Sequence, residues 1–165
     1  MFSKMKGQYH SVQEVLSVAQ KLTGKSLRDI TPDNVEVTPG NKGAFGLLLE
    51  EHGFGVANNS SQAPDFQPVG VELKVVPLKN KGRSWDVKER TKICSINYHG
   101  LVEEDWASSH CKNKLNHVLF VFYRHCDDLM DCKVEGHLLY QLSDRREAPL
   151  LRKDWELIWA KVRSG

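Results

Sequence analysis

Long apolar runs are missing from this 165-residue chain, and so is any strong bias of charge. No stretch approaches the ~20 apolar residues that a helix needs to cross a bilayer, so a membrane role has no support. The formal net charge is only +2, which neither demands nor excludes a nucleic-acid partner. Cysteine is scarce: Cys94, Cys111, Cys126 and Cys132 are scattered through a chain without a signal-peptide pattern. That usage fits reduced thiols in a cytosolic protein better than a disulfide framework. A zinc cluster finds little footing, because five residues separate Cys126 from Cys132, His125 and His137 notwithstanding. Structural zinc pairs usually enclose about two to four residues, so these are read as ordinary loop residues. Repeats, low-complexity tracts and linkers are also wanting, which leaves one domain over 1–165.

What is present is a chain 40% hydrophobic and 27% charged, enough for one real core. A helix is expected from about Ser11, with Val12, Val15, Leu16, Ala19 and Leu22 at helical spacing and Gly24 as a stop. Turn chemistry follows at Thr31 to Asn34 and at Pro39-Gly40. Lys42 to His52 reads as a second, largely buried helix carrying Ala44, Phe45, Leu47, Leu48 and Leu49. A polar loop, Asn58 to Gln62, then delivers the chain to Pro64-Asp65. From Val69 to Val76 the two-residue period of a strand puts Glu72 and Lys74 on one face, with Pro77 as its end. Ile93 to Tyr98, Val118 to Tyr123 and His137 to Leu142 read as further strands. A last helix from about Pro149 should lay Leu151, Trp155, Ile158, Trp159 and Val162 on the sheet. The fold class expected is α/β, a central mixed β-sheet flanked by helices.

Chemistry enters with Pro64-Asp65, six residues, then Glu72-Leu73-Lys74. Two carboxylates near the centre of a sheet can hold a hard divalent cation such as Mg2+, and a lysine on the same face can orient water or offset charge on a phosphate. This is the PD-(D/E)xK arrangement of metal-dependent nucleases. Alone it is a weak signal, since a same-face Glu and Lys is commonplace and such an ion pair is worth little. Glu50, at the end of the second helix, is the natural further member if that helix packs beside the strand. Glu51 lies a helical step of about 100° away and is expected in solvent.

The words Asn41-Lys42-Gly43, Gly46 to Glu50, Pro64-Asp65-Phe66, Gly70 to Pro77 and Ser109-His110 through Lys114-Leu115 into Val118 to Val121 occur in order. In these the chain resembles the MutH-like endonuclease family. Lys88-Glu89-Arg90, Ile96-Asn97-Tyr98 and Asp154-Trp155-Glu156 look more like its branch of GATC-cleaving type II restriction endonucleases. The resemblance implies a restriction-endonuclease-like core, acidic site residues Glu50, Asp65 and Glu72 that hold Mg2+, Lys74 as catalytic lysine, and Lys114 near the scissile phosphate. It implies double-stranded DNA containing GATC as substrate, cut 5′ of the G to leave a 5′-phosphate. Family members continue past the last helix seen here, so the chain is expected to be the N-terminal catalytic domain of a longer protein.

The segment from Lys79 to Lys92 holds six basic residues against Asp86 and Glu89 directly after the catalytic strand. It is expected to follow phosphates, with affinity falling as salt rises. Lys79, Lys81, Arg83, Lys88, Arg90, Tyr98 and Lys112 are the DNA-binding candidates. The leading expectation is a restriction endonuclease domain acting as a homodimer or beside a second domain of the same chain. Its alternatives are a mismatch-repair nicking enzyme and a non-catalytic DNA-binding module.

Overall fold

Ser11 opens the first helix by accepting the Glu14 N–H on its hydroxyl, and α1 then runs Val12–Leu22 with Val15, Ala19 and Leu22 buried. The computed structural model describes residues 8–37, 41, 43–57 and 63–165. Gly24, at φ +85°, turns the chain so that its N–H meets the Val134 carbonyl at 2.8 Å. A capping box of Ser26 and Asp29 starts the short α2, Leu27–Ile30.

The second expected helix is two pieces. Ala44–Leu48 is α-helical (α3), and Leu49–Gly53 continues as one π-helical turn. Lys42, Pro39-Gly40 and the loop Asn58 to Gln62 lie outside the described residues. β1 then spans Glu72–Asn80, β2 Trp85–Val87, β3 His117–Arg124 and β4 Lys133–Gln141. Between them come α4, Tyr98–Leu101, and α5, His110–Asn116, and α6, Ala148–Arg163, follows the sheet. The order across the sheet is β2-β1-β3-β4, with β1 and β3 parallel and both outer pairs antiparallel. This is the mixed α/β arrangement expected, consistent with a restriction-endonuclease-like core.

Three expectations change. β1 does not stop at Pro77: that residue pairs with Tyr123 and its carbonyl takes the Lys88 N–H at 2.8 Å. Proline removes only a donor, and the β2 ladder begins one residue later at Leu78. Ile93 to Tyr98 is no strand. Asn97 accepts the Gly100 N–H on its side chain and starts α4 at Tyr98, so a local cap wins over strand composition. Finally, α6 packs against α4 and Trp106, and not every residue of its expected apolar face is covered. Trp155 is buried 5.8 Å from the Trp106 ring, while Ile158 is 43% exposed.

The core lies on the sheet face of Leu73, Leu119, Val121 and Tyr123, covered by Val15, Ala19, Leu22, Leu27, Phe45 and Leu49. Each such aliphatic burial contributes about 1.5–3 kcal/mol. Phe45 stacks on Tyr123 at 3.7 Å between ring centroids, and Gly46 lies against Val75, so α3 is seated directly on β1. That seating sends the next turn, with Glu50, toward the start of the strand.

Candidate active site

Asp65 reaches the start of β1 through a tight detour. A 3-10 turn at Gln67–Val69 ends on Gly70 in the left-handed region, φ +66°, and Phe66 N–H closes on the Val71 carbonyl at 2.9 Å. The six intervening residues therefore bring the chain back on itself, and Asp65 Oδ2 accepts the Leu73 N–H at 2.8 Å. Glycine at position 70 is required by the conformation, since left-handed backbone costs other residues about 1–2 kcal/mol.

Glu72 is 1% exposed, and its carboxylate is held by two ammonium groups. Lys74 Nζ donates to Oε1 at 2.6 Å; Lys114 Nζ donates to Oε1 at 2.9 Å and Oε2 at 3.0 Å. Lys74 arrives by strand period, two residues along the same face. Lys114 arrives by topology, because α5 leads into β3 and β3 starts alongside Glu72, which pairs with Val118. An unpaired buried carboxylate would be costly, and here the pairing is twofold.

Glu50 stands in the π turn beside this cluster. Burial, then repulsion from Asp65, push its carboxyl up to about 7, against the pull of Lys74. The Asp65 carboxyl is raised as well, by burial and by Glu72, although the Leu73 hydrogen bond and both lysines oppose the rise. Glu51 is exposed on the neighbouring step of the turn.

Three carboxylates and two ammonium groups thus share one partly closed neighbourhood. Among the described residues no three His, Cys, Asp or Glu side chains converge as a ready-made metal cage. The donor chemistry nevertheless fits a hard cation: all three are oxygen donors, and Glu50 and Asp65 carry the mutual repulsion that a divalent ion relieves. Glu50, Asp65 and Glu72 are the residues that would hold it, with Glu72 giving up part of its contact to the lysines.

A family model described as DNA mismatch repair enzyme MutH matches residues 54–154. The DNA mismatch repair protein MutH of Vibrio parahaemolyticus is 32% identical over 167 residues, covering 98% of this chain and 72% of that protein. The chain belongs to the MutH family. The MutH proteins of Shigella flexneri, 32% identical, and Serratia proteamaculans, 31% identical, match 87% of the chain and 63% and 64% of their own lengths. The chain therefore spans about two thirds of the MutH relatives it matches.

The remaining candidates of this MutH-family chain sit away from the acidic cluster. Lys81, Arg83, Lys88 and Arg90 are exposed on and just after the β1–β2 hairpin, and Lys79 is half-buried. Its turn is built by Asn80 Oδ1 accepting the Gly82 N–H at 2.6 Å, with Gly82 at φ +83°. Tyr98 is 62% exposed at the start of α4. Lys112 projects from α5 and donates to the Ala107 carbonyl at 3.4 Å. The structure does not gather these into the cluster: the hairpin turn lies at the far end of β1 from Glu72, and Tyr98 and Lys112 stand on α4 and α5. Sequence reasoning gave no role to Arg124, which lies over the Trp85 ring at 5.1 Å and bonds Glu135 at 2.8 Å. Only the tertiary fold brings that arginine to the base of the hairpin. No helix among the described residues is long and apolar enough to cross a membrane.

Proposed function

We propose that this chain is a metal-dependent DNA endonuclease of the repair type, which nicks one strand of double-stranded DNA at GATC. The observation that carries this reading is the buried Glu72 shared by Lys74 and Lys114 beside Glu50 and Asp65. Sequence words pointed first to a type II restriction enzyme. The similarity to DNA mismatch repair proteins supports the nicking alternative better.

In the reaction a water oxygen bonds to phosphorus, the bond from phosphorus to the 3′ oxygen breaks, and a 5′-phosphate and a 3′-hydroxyl are left. A bound divalent cation, Mg2+ in this proposal, supplies Lewis acidity toward the phosphate and a more acidic water. Lys74 and Lys114 hold positive charge where the pentavalent phosphate accumulates negative charge. Asp65 is fixed by the Leu73 N–H on Oδ2 and would orient a ligand or water through its carboxylate. Glu50 and Glu72 complete the oxygen donor set. Lys81, Arg83, Lys88 and Arg90 neutralise backbone phosphates, with Lys79, Tyr98 and Lys112 flanking the approach. The chain is proposed as the catalytic domain, acting in the bacterial cytoplasm, with a further segment of a longer protein completing the grip on DNA. One site cuts one strand, so double-strand cutting would call for a second copy.

The test is incubation of unmethylated supercoiled plasmid with the chain or with Lys74→Ala, in Mg2+ or in chelator. Open-circular product that needs both Mg2+ and Lys74 is expected. Linear product would restore the restriction reading. Cutting in chelator would sink the metal-dependent one.

A further inference from the structure

Glu72 is shared unevenly between its two lysines. Lys74 Nζ touches one carboxylate oxygen, Oε1 at 2.6 Å, whereas Lys114 Nζ lies 2.9 Å from Oε1 and 3.0 Å from Oε2. Among the described residues Lys114 is the one donor to Oε2. Glu72 is itself 1% exposed, so water has little access to that oxygen. An ammonium nearly equidistant from both oxygens stands close to where a hard cation chelated by this carboxylate would stand, because both draw on the same lone pairs. The two cannot share that place.

The lysines also differ in what their departure leaves behind. Were Lys74 to withdraw, Lys114 would still cover both oxygens. Were Lys114 to withdraw, Oε2 would be bared while Oε1 kept Lys74, so the buried carboxylate would retain a counterion. Lys114 can leave without disturbing the backbone. The helix that carries it, α5, is pinned at its start, where buried Ser109 accepts the Lys112 N–H and donates to the Trp106 carbonyl at 3.1 Å. His110 adds two contacts, 2.8 Å to Glu104 Oε1 and 3.2 Å to the Ser95 carbonyl oxygen. Lys114 stands in the last turn and reaches Glu72 on a flexible four-carbon stem, whose rotation moves only itself.

We propose that Lys114 is a displaceable counterion of the acidic cluster: its ammonium and a divalent cation compete for Glu72, and Oε2 becomes available to the cation only as Lys114 leaves it. The proposal rests on the metal-dependent reading above and adds an exchange step to it. Lys114 stabilises the buried carboxylate of the metal-free chain, and the exchange frees the same ammonium for the substrate phosphate. Metal affinity is thereby held below what the three carboxylates alone would give, since binding includes breaking two charge-assisted contacts.

The test needs no DNA. Mn2+ is titrated into the full chain and into Lys114→Met, Lys114→Arg and Lys74→Met, with free Mn2+ read by electron paramagnetic resonance and folding checked by circular dichroism in chelator. Lys114→Met should bind Mn2+ about tenfold more tightly than the unaltered chain, the order of magnitude that a hydrogen bond to a charged group contributes. Lys114→Arg, which keeps the charge and can grip both oxygens, should bind no more tightly than the unaltered chain. Lys74→Met removes equal charge but leaves Oε2 covered, so it should gain less than Lys114→Met. Equal gains in the two methionine variants would reduce Lys114 to background charge and overturn the proposal, as would an unchanged affinity in Lys114→Met. Should Lys114→Met fail to fold, brief acetylation of the unaltered chain decides, mapped by peptide mass. Acetylation at Lys114 should rise with Mn2+ relative to chelator; no rise at Lys114 overturns the proposal. Mn2+ binding by none of the proteins sinks the metal-dependent reading and this proposal together, whereas equal binding by all sinks this proposal alone.

Discussion

Lys114 Nζ lies within 3.0 Å of both carboxylate oxygens of Glu72, a residue 42 positions earlier in the chain. Lys74 adds a third contact at 2.6 Å. The two lysines are therefore not equivalent: Lys114 bridges the carboxylate from another element, whereas Lys74 approaches one oxygen from the same strand.

Lys74→Ala should leave Glu72 paired with Lys114, so the fold survives while charge stabilisation at the phosphate falls. A loss of about 10²–10³ in nicking rate is expected. Rate and melting temperature measured together check it, and a large drop in melting temperature with the rate unchanged would contradict it.

Lys114→Met removes the bridging counterion from a buried carboxylate. Breaking a buried pair costs about 3–5 kcal/mol where no second partner remains; Lys74 remains here, so a smaller loss is expected. Urea denaturation in chelator reads it directly.

Glu50 gives a pH prediction. Its carboxyl is raised by burial from 4.5 to about 7 in the folded chain. Below the unfolded value the group is protonated in both states and carries no penalty. As pH climbs from about 4.5 to about 7 the unfolded chain ionises first, so this contribution to stability is lost over that window. Metal-free protein should therefore weaken from pH 5 to pH 8, and Glu50→Gln should flatten that slope. Denaturation midpoints at the two pH values decide it.

Gly70→Ala has open space for its methyl group, since nothing lies within 4 Å of an added Cβ. The cost is conformational, from φ +66°, and about 1–2 kcal/mol of stability should be lost. Activity should fall further than stability, because the same turn sets the Asp65 to Leu73 hydrogen bond. Nicking assays well below the melting temperature separate the two effects.

Lys81→Gln with Arg83→Gln should weaken DNA binding without touching the fold, both side chains being exposed. The slope of log affinity against log salt should shallow by about 0.9 for each phosphate contact removed. Binding titrations at several salt concentrations check it; an unchanged slope would remove the hairpin from the interface.

Much of this arrangement was legible in the residues. Period-two alternation placed Glu72 and Lys74 on one face, and Ser11, Gly24 and the Val118 run marked their elements correctly. What failed was local competition and tertiary choice. Asn97 could cap a helix or sit in a strand, and only the hydrogen bond to Gly100 decides it. Pro77 looked like a stop because its neighbours across the sheet were unknown. The π turn holding Glu50 has no periodic signature, and α6 found its partner in Trp106, which sequence spacing cannot reveal. At the site, the family resemblance named Lys114, and the parallel pairing of β1 with β3 supplies the physical reason it stands beside Glu72.

Glu72 opens β1 and Asn80 closes it, so the acidic cluster and the hairpin tip stand at opposite ends of one strand. Eight steps at roughly 3.3 Å separate them by about 26 Å. A duplex rising about 3.4 Å per base pair covers that gap in roughly eight base pairs, twice the length of a four-base target. On the function proposed above, with the duplex running along β1, the hairpin would grip flanking duplex, and short oligonucleotides trimmed close to the target should be poor substrates even with every recognised base in place.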